Sequence, residues 1–134
     1  MKTNKIEKLT FFKTAEESPG YLLWRISTAW RSSIEETLKP LNLTHPQFVI
    51  LTTVGWLTRN GEHINQIDIS KASGLDPNTT SQILRGLEAK NFIKRTRKLN
   101  ERNKNPVLTT LGFDVLAKAL PAVETADAKF FLKF

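Results

Sequence analysis

The four residues Gly74-Leu75-Asp76-Pro77 constrain this chain more than any other stretch. Glycine takes the left-handed backbone that ends one helix; two residues later an aspartate caps the next, with proline preset for its first position. Upstream, Asn65 caps the short run "QIDISKAS", whose Asp68 sits in the first turn, where the helix dipole favours negative charge. Two short helices separated by "GLD" make a helix-turn-helix.

On a helical wheel the second of these helices, starting at Pro77, gathers Thr80, Ile83, Leu84 and Leu87 on one side. Asn78, Ser81, Gln82 and Arg85 gather on the other, Thr79 is a further candidate beside them, and Gly86 and Ala89 add no bulk. Asn and Gln can pair bidentately with adenine, Arg with guanine, and Ser with several base edges. That side therefore suits a recognition helix in a major groove. An ordinary solvated face would carry the same residues, and what argues against it is the arrangement: a preceding short helix, a tight turn and a basic segment that follows.

After Asn91 the pattern changes to the alternating "FIKRTRK", then the polar "LNERNKN", then "PVLT", which reads as two short strands around a basic loop, a β-hairpin or wing. Lys and Arg outnumber Asp and Glu by 20 to 13, a formal +7. Between Arg85 and Lys104 eight basic residues face only Glu88 and Glu101, so this segment holds six of the seven net charges. A basic block of this kind suits a polyanion, either nucleic acid or an anionic membrane surface. Arg97, Lys98, Arg102 and Lys104 are the candidate wing contacts.

Before the helix-turn-helix, a first helix is expected from about Pro19 to Leu38, capped by Ser18 and ended by Pro40. Leu22, Leu23, Ile26, Trp30 and Ile34 fall on its apolar side, while Trp24, Thr28 and Arg31 form a second stripe off that side. The second stripe suits either a dimer seam or the wall of a ligand cavity. "THPQFVILTTVGWL" opens with Thr44 and Gln47 at capping-box spacing and reads as a second helix to about Thr58. A last helix starts at Thr109 or Thr110, and Pro121 either kinks it or opens a successor reaching Phe131. Phe11 and Phe12 near one end and Phe130, Phe131 and Phe134 at the other are too many aromatics for exposed termini; a dimer of antiparallel arms would bury them.

At 134 residues the chain is one domain's worth. It has no cysteine, which removes disulfides and thiolate metal sites, and its two histidines, His45 and His63, stand in no metal-ligand spacing. No nucleophile motif or phosphate-binding glycine loop appears, so neither an enzyme, a metal site nor a cofactor is expected. No apolar run approaches a membrane span and Met1 to Thr10 lacks a signal-peptide core, which reads as a cytoplasmic protein without a membrane partner. The rival class is a winged-helix module that binds a protein partner rather than DNA; it would need an apolar or acidic surface where this one is polar and basic.

The stretches "LTHPQF" at 43–48, "GLDPNTTSQIL" at 74–84, "LEAKNFIKR" at 87–95 and "LTTLG" at 108–112 resemble the MarR family, the multiple-antibiotic-resistance type of winged-helix regulators, over about residues 20–130. The resemblance implies a single domain over 1–134, mainly α with a small β-hairpin wing. In it the winged helix-turn-helix (44–109) stands on a dimerisation arm built from the N- and C-terminal helices (19–43 and 110–134). It also implies a homodimeric bacterial transcriptional regulator, usually a repressor, binding a pseudo-palindromic double-stranded DNA operator. Many relatives are released from DNA by a small aromatic ligand held between arm and winged domain, for which Trp24, Thr28 and Arg31 are the candidates here, with Trp30 and Trp56 as further tryptophans. The family's minor-groove arginine near the wing tip falls on Arg102. This chain departs from the family pattern at Asn100, where Asp is usual, at "NKNP" in 103–106, and at Gln82, often Arg.

Overall fold

The computed structural model describes residues 5–96 and 105–133. Two short 3-10 turns, Lys5–Lys8 and Ala15–Glu17, lead into α1 (Pro19–Leu38), which ends in a third such turn, Lys39–Leu41. α2 (His45–Leu57), α3 (Gln66–Ser73), α4 (Pro77–Ala89), β1 (Ile93–Thr96), β2 (Asn105–Leu108) and α5 (Thr110–Phe131) follow. This is the mainly helical chain with one hairpin that the sequence led us to expect. The turns before Pro19 were not foreseen, because neither carries an apolar period.

Each α-helix begins on a side chain that accepts a backbone N–H: Ser18 from Tyr21, Thr44 from Gln47, Asn65 from Asp68, Asp76 from Thr79 and Thr109 from Gly112. Such caps contribute about 1 kcal/mol each and fix where each helix starts. Gly74, at φ 78°, ends α3 as expected. α4 ends on Asn91 at φ 67°, with Phe92 N–H donating to the Leu87 carbonyl at 3.0 Å and Asn91 N–H to Glu88 at 2.9 Å. That double bond pattern closes the helix with asparagine in glycine's usual place.

α2 is the centre of the fold, with Ile50, Leu51 and Val54 fully buried against the other four helices and β2. Ile34 and Leu38 from α1, Ile69 from α3, Leu84 and Leu87 from α4, Ile93 from β1, and Leu116 and Val123 from α5 complete the core. β1 and β2 pair antiparallel with Ile93 opposite Leu108 and Arg95 opposite Pro106. At the start of α5, a Cβ on Gly112 would run into the Phe92 carbonyl. Thr109 is bonded there too, its N–H to the Phe92 carbonyl at 3.1 Å and its hydroxyl to Asn91 at 2.6 Å. The "LTTLG" stretch thus seats α5 directly on the joint between α4 and the hairpin.

Two expectations change. α5 runs unbroken through Pro121; Pro121 and Ala117, whose carbonyl loses its donor, are both exposed, so water can supply the missing bond. The apolar stripe of α1 is not buried along its length: Ile34 and Leu38 are buried, whereas Leu22 and Leu23 are exposed. Trp30 already meets Phe131, the last residue of α5, at 6.3 Å, so the first turns of α1 overhang the helix that covers the rest.

Candidate nucleic-acid interface

α4 is held from behind by its neighbours. Thr80, Leu84 and Leu87 are fully buried, and the Thr80 hydroxyl donates to the Asp76 carbonyl at 2.9 Å. The turn from α3 is tied by Ser70, whose hydroxyl donates to the Leu75 carbonyl, and by Gln66, whose amide donates to Pro77 at 3.1 Å. At the far end Lys90 Nζ donates to the Asn42 carbonyl at 2.6 Å and to Gln47 Oε1 at 2.8 Å. Gln47 also caps α2, accepting from Thr44 N–H at 3.2 Å, so one side chain joins the starts and ends of two helices.

On the opposite side Asn78, Gln82 and Arg85 are exposed and Ser81 is half-buried. Among the described residues none of these four side chains has a hydrogen-bond or ion-pair partner. The polar row expected from the wheel is therefore assembled, rigidly mounted and open. Thr79 differs: its hydroxyl donates to Asp76 Oδ1 and its N–H to Oδ2 at 3.1 Å, so it serves the helix start. Those bonds, the hydroxyl's first, hold the Asp76 carboxyl below its usual range. Gly86 also differs from expectation, since a Cβ there would approach Gln47 Nε2 to 3.2 Å; its smallness serves the α2 contact rather than the open face.

The basic block divides in two. Arg85 and Lys94 are exposed, whereas Lys90 is spent on the α1–α2 turn and Arg95 Nε lies 2.6 Å from Glu88 Oε1. The latter is an ion pair without the alignment of a hydrogen bond, and it clamps β1 to α4. Sequence reading counted Lys90 and Arg95 as surface cations; only their partners, brought close by folding, reveal otherwise. Arg97, Lys98, Arg102 and Lys104 lie outside the described residues.

In the arm, Phe11 is fully exposed, Phe12 and Phe131 are exposed, and Phe130 is buried within its own chain. Trp24 is 69% exposed, and Thr28 and Arg31 are exposed. Trp30 packs on the core and donates its indole N–H to Asp127 Oδ1 at 2.7 Å, while its ring stands edge-on to His45 at 4.9 Å. Burial holds His45 below its usual pKa; Arg31 acts in the same direction and Glu35 and Asp127 oppose it. Among the described residues no helix is long and apolar enough to cross a membrane.

A helix-turn-helix with its second helix open, followed by a hairpin and framed by two long helices, defines a winged helix-turn-helix protein. A sequence profile of the MarR family matches residues 43–104. The uncharacterized HTH-type transcriptional regulator YdcH of Bacillus subtilis is 35% identical over 123 residues, covering 90% of this chain and 82% of that protein. The chain belongs to the MarR family. The HTH-type transcriptional repressor Rv2887 of Mycobacterium tuberculosis is 28% identical over 117 residues, 86% of this chain and 81% of its own. The structure of Rv2887 in complex with DNA superposes with a TM-score of 0.68 at 26% identity, covering 87% of this chain and 85% of that one. Rv2887 has also been solved with p-aminosalicylic acid. A MarR-family regulator from Rhodococcus sp. RHA1 shares the fold at a TM-score of 0.77 and 23% identity, covering 90% and 83% of the two chains.

Proposed function

We propose that this chain is a sequence-specific regulator of transcription that holds double-stranded DNA as a homodimer and acts as a repressor in the cytoplasm. The carrying observation is the row Asn78, Gln82 and Arg85: exposed, unpartnered among the described residues, and mounted on a helix whose other side is buried. Side chains of these types read base edges in a major groove, and mounting them on a packed helix spares the cost of ordering them on binding. Rv2887, a repressor solved on DNA, supports this reading. Arg97, Lys98, Arg102 and Lys104 of the wing add phosphate or minor-groove contacts.

Exposed Phe11, Leu23, Trp24 and Phe131 at the arm support pairing of two copies through 19–43 and 110–134, which sets two α4 helices on a pseudo-palindrome. A small aromatic acid is the effector class, by analogy with Rv2887 and p-aminosalicylic acid. Nothing in this reading calls for catalysis. The test is selection of a preferred duplex from random DNA, followed by binding to it and to random DNA across a salt series. Preference for one palindromic sequence, with affinity falling as salt rises, is expected. Equal affinity for all sequences would overturn sequence-specific reading.

A further inference from the structure

A cavity of about 500 Å³ lies away from both the α4 row and the Trp24 stripe, between the C-terminal half of α2, the turn that follows it, β2 and the first half of α5. Its walls are apolar, with Leu108, Leu116 and Leu120 at the back and Trp56 and Phe113, each 63% exposed, at the mouth. Two large aromatics left open beside one apolar cavity are costly in water unless something flat covers them.

The polar groups narrow what that is. Thr53 and Thr58 return their hydroxyls to the Val49 and Val54 carbonyls, at 2.7 and 2.6 Å. Thr52, which lines the cavity, does not: its Oγ1 is buried without a partner. A buried hydroxyl left unpaired needs a group from a ligand or water. At the mouth the Arg59 guanidinium lies 3.8 Å from the Trp56 ring centroid and donates once to the Trp56 carbonyl at 2.7 Å, leaving further N–H groups outward. His63 and Glu62 share that mouth, and the Glu62 carboxylate disfavours any ligand carrying several negative charges.

We propose that this cavity binds a flat aromatic acid with a single negative charge, its ring against Trp56 and Phe113, its charge toward Arg59, and a polar group at Thr52. Because Leu108 of β2 is one wall, the same ligand bears on the base of the wing. That consequence for DNA rests on the regulator reading above, whereas binding itself does not.

Isothermal titration of the full chain with 2-naphthoate, without DNA, tests the site. One saturable event per chain is expected. Thr52→Val and Arg59→Gln should each weaken it about tenfold, the scale of one lost hydrogen bond. Arg59→Gln should leave binding of neutral 2-naphthol unchanged, and Trp24→Ala should leave both ligands unaffected. Thr52→Val removes an unpaired hydroxyl and should not lower the melting temperature; should it misfold, the exposed Arg59→Gln carries the test alone. No saturable heat up to roughly 10 mM, or binding lost in Trp24→Ala and unchanged in the two cavity variants, overturns the proposal. Adding 2-naphthoate to protein on its selected duplex should release it over the same concentration range. Binding without release supports the site and overturns its link to the wing; failure to bind DNA at all counts against the regulator reading only.

Discussion

On α4, Asn78, Gln82 and Arg85 stand exposed above a side that Thr80, Leu84 and Leu87 bury completely, whereas the first half of α1 exposes Tyr21, Leu22, Leu23 and Trp24 and has no fully buried residue before Ile34. Polar groups left open keep their hydrogen bonds to water until something replaces it. Apolar groups left open cost about 25 cal/mol for each Å². The two regions therefore call for different partners: a wet, polar one that exchanges hydrogen bonds at α4, and a dry one that removes area from water at the arm. A second copy of the chain supplies the dry partner, and DNA the wet one.

The most damaging way to break this contrast is at the arm. Trp24→Ala should weaken the dimer by about 2–4 kcal/mol if Trp24 lies at the seam, read as a rise in the dimer dissociation constant by sedimentation. An unchanged dimer with a blunted ligand response would move Trp24 to a cavity wall. A wild-type chain that sediments as a monomer at micromolar concentration would remove the dry partner altogether.

Next in size is the joint between the regions. Gly112→Ala drives a methyl group into the Phe92 backbone carbonyl, which cannot rotate away as a side chain could. Overpacking against backbone should cost about 3 kcal/mol, visible in chemical denaturation, and should disturb the arm and the wing together. A loss below about 0.5 kcal/mol would show that the α5–β1 contact yields easily.

At the polar face, Gln82→Ala or Asn78→Ala should cost about 1–3 kcal/mol at the selected duplex and relax base preference there, with the salt dependence unchanged. Equal losses on selected and random DNA would mean that α4 holds the duplex without reading it.

A finer cut lies inside the basic block. Lys94 is exposed, and as a phosphate contact its change to Met should flatten the salt slope by about one. Lys90 bonds Asn42 and Gln47 instead. Lys90→Met should therefore leave the slope alone while lowering stability, since two acceptors lose a charged donor. If both variants flatten the slope alike, Lys90 leaves its internal partners on DNA.

How far these features could be read in advance follows their range along the chain. Helix starts were legible because Ser18, Thr44, Asn65, Asp76 and Thr109 act on a backbone N–H three residues away. The α4 row was legible for the same reason, a helix being a local rule. Lys90 to Asn42 spans 48 residues and Trp30 to Asp127 spans 97, and no local rule pairs them. Glu88 and Arg95 are near in sequence but meet only because a helix end and a strand fold back through Asn91. The exposure of Leu22 and Leu23 was hidden because periodicity says which side of a helix is apolar, not how far its cover extends. The Thr52 cavity was hidden because nothing in a threonine's neighbours tells whether its hydroxyl returns to the backbone.

The smallest expected effect joins the two regions at His45, the first residue of α2, whose ring stacks edge-on to Trp30 of the arm and whose N–H donates to Glu35 Oε1 at 2.9 Å. Burial holds its pKa below 6.5, with Arg31 adding to this and Glu35 and Asp127 resisting. A histidine whose folded pKa is depressed binds its proton more readily in the unfolded chain. Its contribution to stability is therefore complete above 6.5 and is lost as pH falls through the folded value. Melting temperature should drop between roughly pH 7.5 and 5.5, and His45→Gln should remove part of that drop, because glutamine takes up no proton there. Asp76, held below the ordinary carboxylate range, gives way only at lower pH and does not confuse the window. If His45→Gln melts with the same pH dependence as the wild type, the junction carries no proton-linked strain, and arm and winged domain are joined there by packing alone.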